Sequence, residues 1–151
     1  MTVASWFKAE WAARPWWMNV IFAFCVYMTF IYMPFDIFVK PLNQPIAAAE
    51  EVWFGVTLHG WAAKATEPLH WLIYGALAYG FWTMHPRMWP WAGIYCAQIS
   101  IAMLVWNLLD PRGGGWIAGL IAAAFFAVPT VALLRARGTF CGRMAPGEGR
   151  P

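Results

Sequence analysis

Asp36, Glu67, His70, Asn107 and Asp110 stand within or at the edges of long apolar runs, the last place a chain puts charge without cause. A charged side chain at the centre of a membrane helix costs roughly 2.5–3.5 kcal/mol, and less near the interface. Carboxylates beside an imidazole can move protons or hold a cation, which makes Asp36, Glu67 and His70 the candidate catalytic groups. Helical spacing enlarges the set. Cys25, Thr29, Tyr32 and Asp36 follow one another at i, i+4, i+7 and i+11, on one helix face. Glu67, His70 and Tyr74 share a face at i, i+3 and i+7, as do Cys96, Ser100, Met103, Asn107 and Asp110 on a third run. Polar stripes of this kind turn toward one another and away from lipid. The expected ligand-binding set is therefore Tyr32, Asp36, Glu67, His70, Tyr74, Asn107 and Asp110. The plainer alternative is that these are interface residues meeting headgroups and water, with Glu67 and His70 joined by a structural hydrogen bond.

Other chemistries find less support. Glu67-Pro-Leu-His70 has the Glu-x-x-His spacing of di-iron bundles, but those need two copies and two further carboxylates, so no metal site is expected. His70 is the only histidine inside an apolar run, whereas a haem held by two histidines needs a facing pair; His59 and His85 fall in connections. No Cys-x-x-Cys-His, Gly-rich phosphate loop or Gly-x-Ser-x-Gly elbow occurs, and the cofactor is left unassigned. Cys25 and Cys96 lie in apolar runs and Cys141 in the tail, which gives no disulfide framework.

The elements that must position these groups follow from composition. Of 151 residues, 62% are hydrophobic and 11% charged, against about 25% charged in a soluble domain. Seven acids and ten bases cannot cover the surface of a soluble fold this size, whereas lipid suits it. Twelve tryptophans and five tyrosines fit the bilayer interface. Four apolar stretches, about 16–38, 68–84, 89–109 and 116–134, each approach the roughly twenty residues a membrane helix requires. The turns His85-Pro86-Arg87 and Asp110-Pro111-Arg112-Gly113-Gly114-Gly115 are short enough to make antiparallel neighbours. The N-terminal run is long, Trp-rich and without a small-residue cleavage site, unlike a cleaved signal.

The expected fold is an all-α integral membrane protein: a four-transmembrane-helix bundle forming one domain over 1–138, with a disordered cytoplasmic tail at 139–151. Between the first two spans, 41–66 is too polar to cross and too apolar for a free loop. It is expected to lie on the outer surface as an amphipathic lid, with a short helix over Ile46–Trp53 bearing Glu50 and Glu51. Thr66 is expected to cap the second span. Alternating directions then bring Asp36, Glu67, His70, Asn107 and Asp110 to one end beneath the lid, as an outward-opening polar pocket with an apolar floor.

The layout resembles the sterol isomerase and sigma-2 receptor superfamily: a first span closing on Met33-Pro34-Phe35-Asp36, a long loop, then Glu67 and His70 at the head of the second span. The second span lacks the mid-helix acid of that pattern. The resemblance implies acids and a histidine that handle a carbocation or an amine. Size and the stretch Tyr95-Cys-Ala-Gln98 are similar to the tryptophan-rich sensory protein (translocator) family, which has five spans.

Two function classes are expected to compete. One is an accessory subunit of a larger membrane assembly, or a binder of a lipid-like, apolar or amphiphilic small molecule. The other is a membrane enzyme acting on a lipid, sterol or isoprenoid. Partners are the bilayer, a membrane-protein complex and a lipid-like molecule. Nucleic acid is not among them, because the bases sit in connections and tail and form no stripe. Lys8, Arg14, Arg87, Arg135, Arg137, Arg143 and Arg150 fall on one side, and Lys40, Lys64 and Arg112 on the other. That imbalance places both termini in the cytoplasm, for a multi-pass protein of a bacterial inner (plasma) membrane. Single-cysteine labelling in intact cells tests it: an impermeant reagent should reach position 64 and miss position 87. Labelling at 87 would invert the topology.

Overall fold

The computed structural model describes residues 2, 5, 11–12 and 14–141. Among them, long helices dominate. Helix α1 runs from Trp16–Asn43, α2 from Gly60–Thr83, α3 from Met88–Leu109, α4 from Gly115–Arg135, and a short α5 from Arg137–Cys141. Three of them, α1, α3 and α4, are long and apolar enough to cross a membrane. With 24 residues α2 has the length, but Lys64 and Glu67 in its first two turns make it less apolar. It begins well before the expected position 68, because Ala62, Ala63, Lys64 and Ala65 are strong helix formers. Thr66 consequently caps nothing; it sits inside the helix and donates its hydroxyl to the Ala63 carbonyl at 2.8 Å. The expected tail begins in α5, and from 142 onward it lies outside the described residues, as do Lys8, Arg143 and Arg150.

The segment between α1 and α2 departs from expectation. In place of a helix over Ile46–Trp53 there is one 3₁₀ turn at Ile46–Ala48 and a β-hairpin, β1 (Glu50–Trp53) and β2 (Val56–His59). The strands pair antiparallel, Glu50 with His59, Glu51 with Leu58, Val52 with Thr57 and Trp53 with Val56. β-branched and aromatic residues favour this over a helix. Phe54 and Gly55 form a two-residue turn with φ of 51° and 86°, the left-handed pair that matches strand twist. Glu51 and Trp53 are half-buried on one face, while Glu50 and Val52 are exposed on the other.

The long helices pack as two pairs, α1 with α2 and α3 with α4. Between α3 and α4 the backbones approach closely at Gly93 and Gly119, where an added Cβ would press on Leu134 and Leu104. Ser100 donates to the Ala123 carbonyl across this seam at 2.6 Å. The pairs share an apolar core at one end, built from Met18, Phe22, Phe81, Ala92, Leu133 and Phe140 among others. Buried Arg14 closes that end. Its Nη1 donates to the Phe81 and Trp82 carbonyls at 3.0 and 3.1 Å, and its Nε to Asn19 Oδ1 at 2.9 Å. At the other end the hairpin bridges the pairs: β1 and β2 lie on α2, and buried Gly55 seats against α3.

A Cβ on Gly55 would fall 2.4 Å from Val105 Cβ and 2.7 Å from the Ala102 carbonyl. Gly55→Ala should therefore lower stability by about 1–3 kcal/mol and loosen amide protection across 52–57 in hydrogen exchange. Unchanged protection would mean the turn does not seat on α3.

Candidate functional site

Helix α1 loses regular α geometry as it nears the hairpin. It becomes π-helical over Met28–Tyr32 and again over Phe35–Val39. A π turn takes in an extra residue and leaves carbonyls open to outside donors. Two side chains of α2 use them: Trp71 Nε1 donates to the Thr29 carbonyl at 2.7 Å, and Lys64 Nζ to the Asp36 carbonyl at 2.9 Å. The widening also shifts the helical phase. Met33, at 2% exposure, turns inward, while Tyr32 turns out to 42%.

Asp36 keeps its inward direction and is buried, as is Glu67 on α2. Each carboxylate has its own lysine. Lys40 Nζ donates to Asp36 Oδ1 at 2.6 Å from one turn along, and Lys64 Nζ lies 2.7 Å from Glu67 Oε1 and 2.8 Å from Oε2. Glu51 arrives from β1. Asp36, Glu51 and Glu67 each offer a carboxylate oxygen within 4.8 Å of the others, a spacing that one cation can bridge. Glu51 Oε1 also contacts His70 Nδ1. The His70 ring stacks on Trp53, centroids 4.0 Å apart and planes 8° apart. Tyr74 follows on the same helix face, its ring 6.3 Å from His70 and edge-on to Tyr95 of α3 at 6.4 Å. The Trp53 indole N–H is buried without a hydrogen-bond partner among the described residues, a costly state for a polar group.

The structure thus brings together Asp36, Glu67 and His70, with Tyr74 beside them. Tyr32 is on the exposed side of α1. Asn107 and Asp110 belong to a second network. Asn107 holds the turn after α3, donating to the Met103 carbonyl at 2.8 Å and accepting the Gly114 amide at 3.1 Å. Asp110 accepts from Thr57 Oγ1 of β2 at 2.8 Å and from Arg112 Nε at 2.9 Å, while Arg112 Nη1 reaches Glu50 of β1 at 2.7 Å. The Arg112 side chain and amide, with Thr57, hold the Asp110 carboxyl well below the usual carboxylate range. Its ionised form therefore favours the folded state, and that contribution fades only as pH falls below the ordinary aspartate value.

Glu51 and Trp53 are the members that helical spacing does not find, whereas Lys40 and Lys64 stand one turn from Asp36 and Glu67 and are absent from the expected set although helical spacing reaches them. The signal for the first two is the i, i+2 alternation of a strand, Glu51 and Trp53 on one face. No known protein-family model matches the chain, and no curated protein or solved structure is similar to it.

Removing one member of a buried ion pair costs more than removing both, because the survivor is left uncompensated. Lys64→Met should lower thermal stability in detergent by on the order of 3 kcal/mol, and adding Glu67→Gln should recover much of the loss. Additive losses would show that the two side chains do not depend on each other.

Proposed function

We propose that α2 is a fourth membrane crossing, that the arginine-bearing end faces the cytoplasm, and that the hairpin is a lid over a site for an amphiphile with a small cationic head. The convergence of Asp36, Glu51 and Glu67 carries this reading. Three carboxylates face two ammonium groups, Lys40 and Lys64, so the lysines fall one positive charge short of the acids. An amine head supplies that charge, and the unpartnered Trp53 N–H offers a donor to an oxygen on the same head. A space lined by both lysines of the cluster measures about 10 Å³, between Lys40, Gln44 and Lys64, enough for one water. Entry therefore requires the hairpin to lift, taking Glu51 and Trp53 with it and leaving Asp36 and Glu67 on the helices. The apolar part of the ligand would lie among the bundle side chains below.

A second reading is an enzyme of isomerase type acting on a lipid, sterol or isoprenoid. The contact of His70 Nδ1 with Glu51 favours it, since a carboxylate that orients an imidazole is an arrangement that moves protons. The accessory-subunit reading draws on the exposed row Ile117, Leu120, Ile121, Phe125 and Val128 of α4, a face for lipid or for a neighbouring membrane protein.

Purification in mild detergent followed by mass spectrometry separates these. A retained amine-bearing amphiphile supports the ligand site, and stoichiometric protein partners support the subunit. Glu67→Gln and His70→Ala should each weaken retention of the amphiphile about tenfold, or ~1.4 kcal/mol, with helical content unchanged. Full retention in both variants would remove the cluster from ligand binding.

A further inference from the structure

Charge is segregated along the bundle. Among the described residues, Asp36, Glu50, Glu51, Glu67 and Asp110 all lie at the hairpin end, and the opposite end carries Arg14, Arg87, Arg135 and Arg137 with no acid. Arg14 is committed to helix carbonyls, and Arg137 lies 5.0 Å over the Trp89 ring. Arg87 sits in the turn between α2 and α3, exposed, with no acid beside its guanidinium among the described residues. Next to it, His85 accepts the Arg87 backbone amide on Nδ1 at 3.1 Å. That bond fixes the neutral ring's proton on Nε2, which leaves Nε2–H as a donor.

These two groups stand at the mouth of a groove of about 250 Å³, whose remaining walls are Ala76, Tyr79, Gly80 and Met88. Gly80 makes the groove possible. A Cβ there would fall 2.1 Å from Met88 Sδ, so glycine is what lets Met88 lie across α2. From His85 back to Ala76 the wall extends roughly 13 Å at 1.5 Å per residue, which runs from headgroup depth into the hydrocarbon. The exposed faces of Ala76 and Tyr79 open it sideways, toward lipid.

We propose that this groove binds a single anionic phospholipid, its phosphate between Arg87 and His85 and one acyl chain along Ala76 and Tyr79. Charge complementarity selects the occupant. Basic pockets at the cytoplasmic ends of membrane helices recognise anionic head groups, whereas a zwitterionic lipid brings an ammonium group toward a guanidinium. The volume lies just below the roughly 300 Å³ at which pockets accept a drug-sized molecule, so it holds a headgroup with the upper chain and leaves the rest in the bilayer. This site is at the far end from the carboxylate cluster and stands or falls apart from it.

The full chain, purified in detergent and exposed to phosphatidylglycerol or phosphatidylcholine, tests it by native mass spectrometry of the retained lipid. Phosphatidylglycerol should be retained in preference, as one molecule per chain. Arg87→Gln should cut that retention about fivefold, the effect of one base near a membrane surface, and Ala76→Trp should do the same by filling the groove. Arg135→Gln, at the same end but outside the groove, should leave retention within about twofold of the parent. Equal retention of the two lipids would overturn the proposal. So would an Arg135→Gln loss equal to that of Arg87→Gln, or an Ala76→Trp variant that binds like the parent. If Ala76→Trp fails to fold, as seen from its elution and circular dichroism, the Arg87→Gln and Arg135→Gln comparison decides alone.

Discussion

Lys64 carries one ammonium into a place where two elements need it. It lies 2.9 Å from the Asp36 carbonyl, which the π turn of α1 leaves open, and 2.7 Å from the Glu67 carboxylate of its own helix. A backbone carbonyl and a carboxylate turned away from water both require a donor. A single side chain answers both, and in doing so ties α1 to α2 at the depth where the hairpin begins. With that tie in place, Asp36 and Glu67 share one plane across the helix pair, and Glu51 has two neighbours of like charge to approach. The approach is tolerable because Lys40 and Lys64 already offset part of the negative charge. The hairpin can then lay Trp53 flat on His70.

The two ends of the molecule solve different problems with the same kind of group. At the hairpin end, lysines neutralise carboxylates. At the other, Arg14 serves backbone carbonyls at the end of α2, where the final turn leaves acceptors unsatisfied and the helix dipole favours a cation. Phe22 lies under its guanidinium at 4.8 Å. The apolar core beside Arg14 is also where both helix pairs pack together, so the polar and apolar anchorages of the fold are at opposite ends.

Much of this was legible in the residues and part of it was not, for identifiable reasons. Apolar run length finds α1, α3 and α4 because lipid imposes a length on any helix that crosses it. The start of α2 is hidden because hydropathy reads Lys64 and Glu67 as loop, whereas local propensity through Ala62–Ala65 reads helix. Asp36, Glu67 and His70 are found by alternating helix direction and the i, i+3 rule. Tyr32 is misplaced by that same rule, since 3.6-residue periodicity does not survive a π turn. Asn107 and Asp110 have the right depth but lie on the helix pair that meets the first pair at the other end, and depth alone does not choose a neighbour. Glu51 and Trp53 are hidden by the reading of 46–53 as a helix: helical periodicity puts them on different faces, and strand periodicity puts them on one.

The seating of Gly55 on α3 has a mechanical consequence. The helix pairs are joined firmly at the core end and, at the far end, through the hairpin, like tongs with a clasp. The clasp grips one arm at Val105 and the other through Glu51 and Trp53 on His70. Spreading the arms must either unseat the turn or draw Glu51 away from the imidazole. A sideways displacement of the helix pairs is thereby converted into a movement of Glu51 and Trp53 relative to the His70 ring, and the reverse holds with equal force: whatever fixes the hairpin on His70 also holds the two arms together.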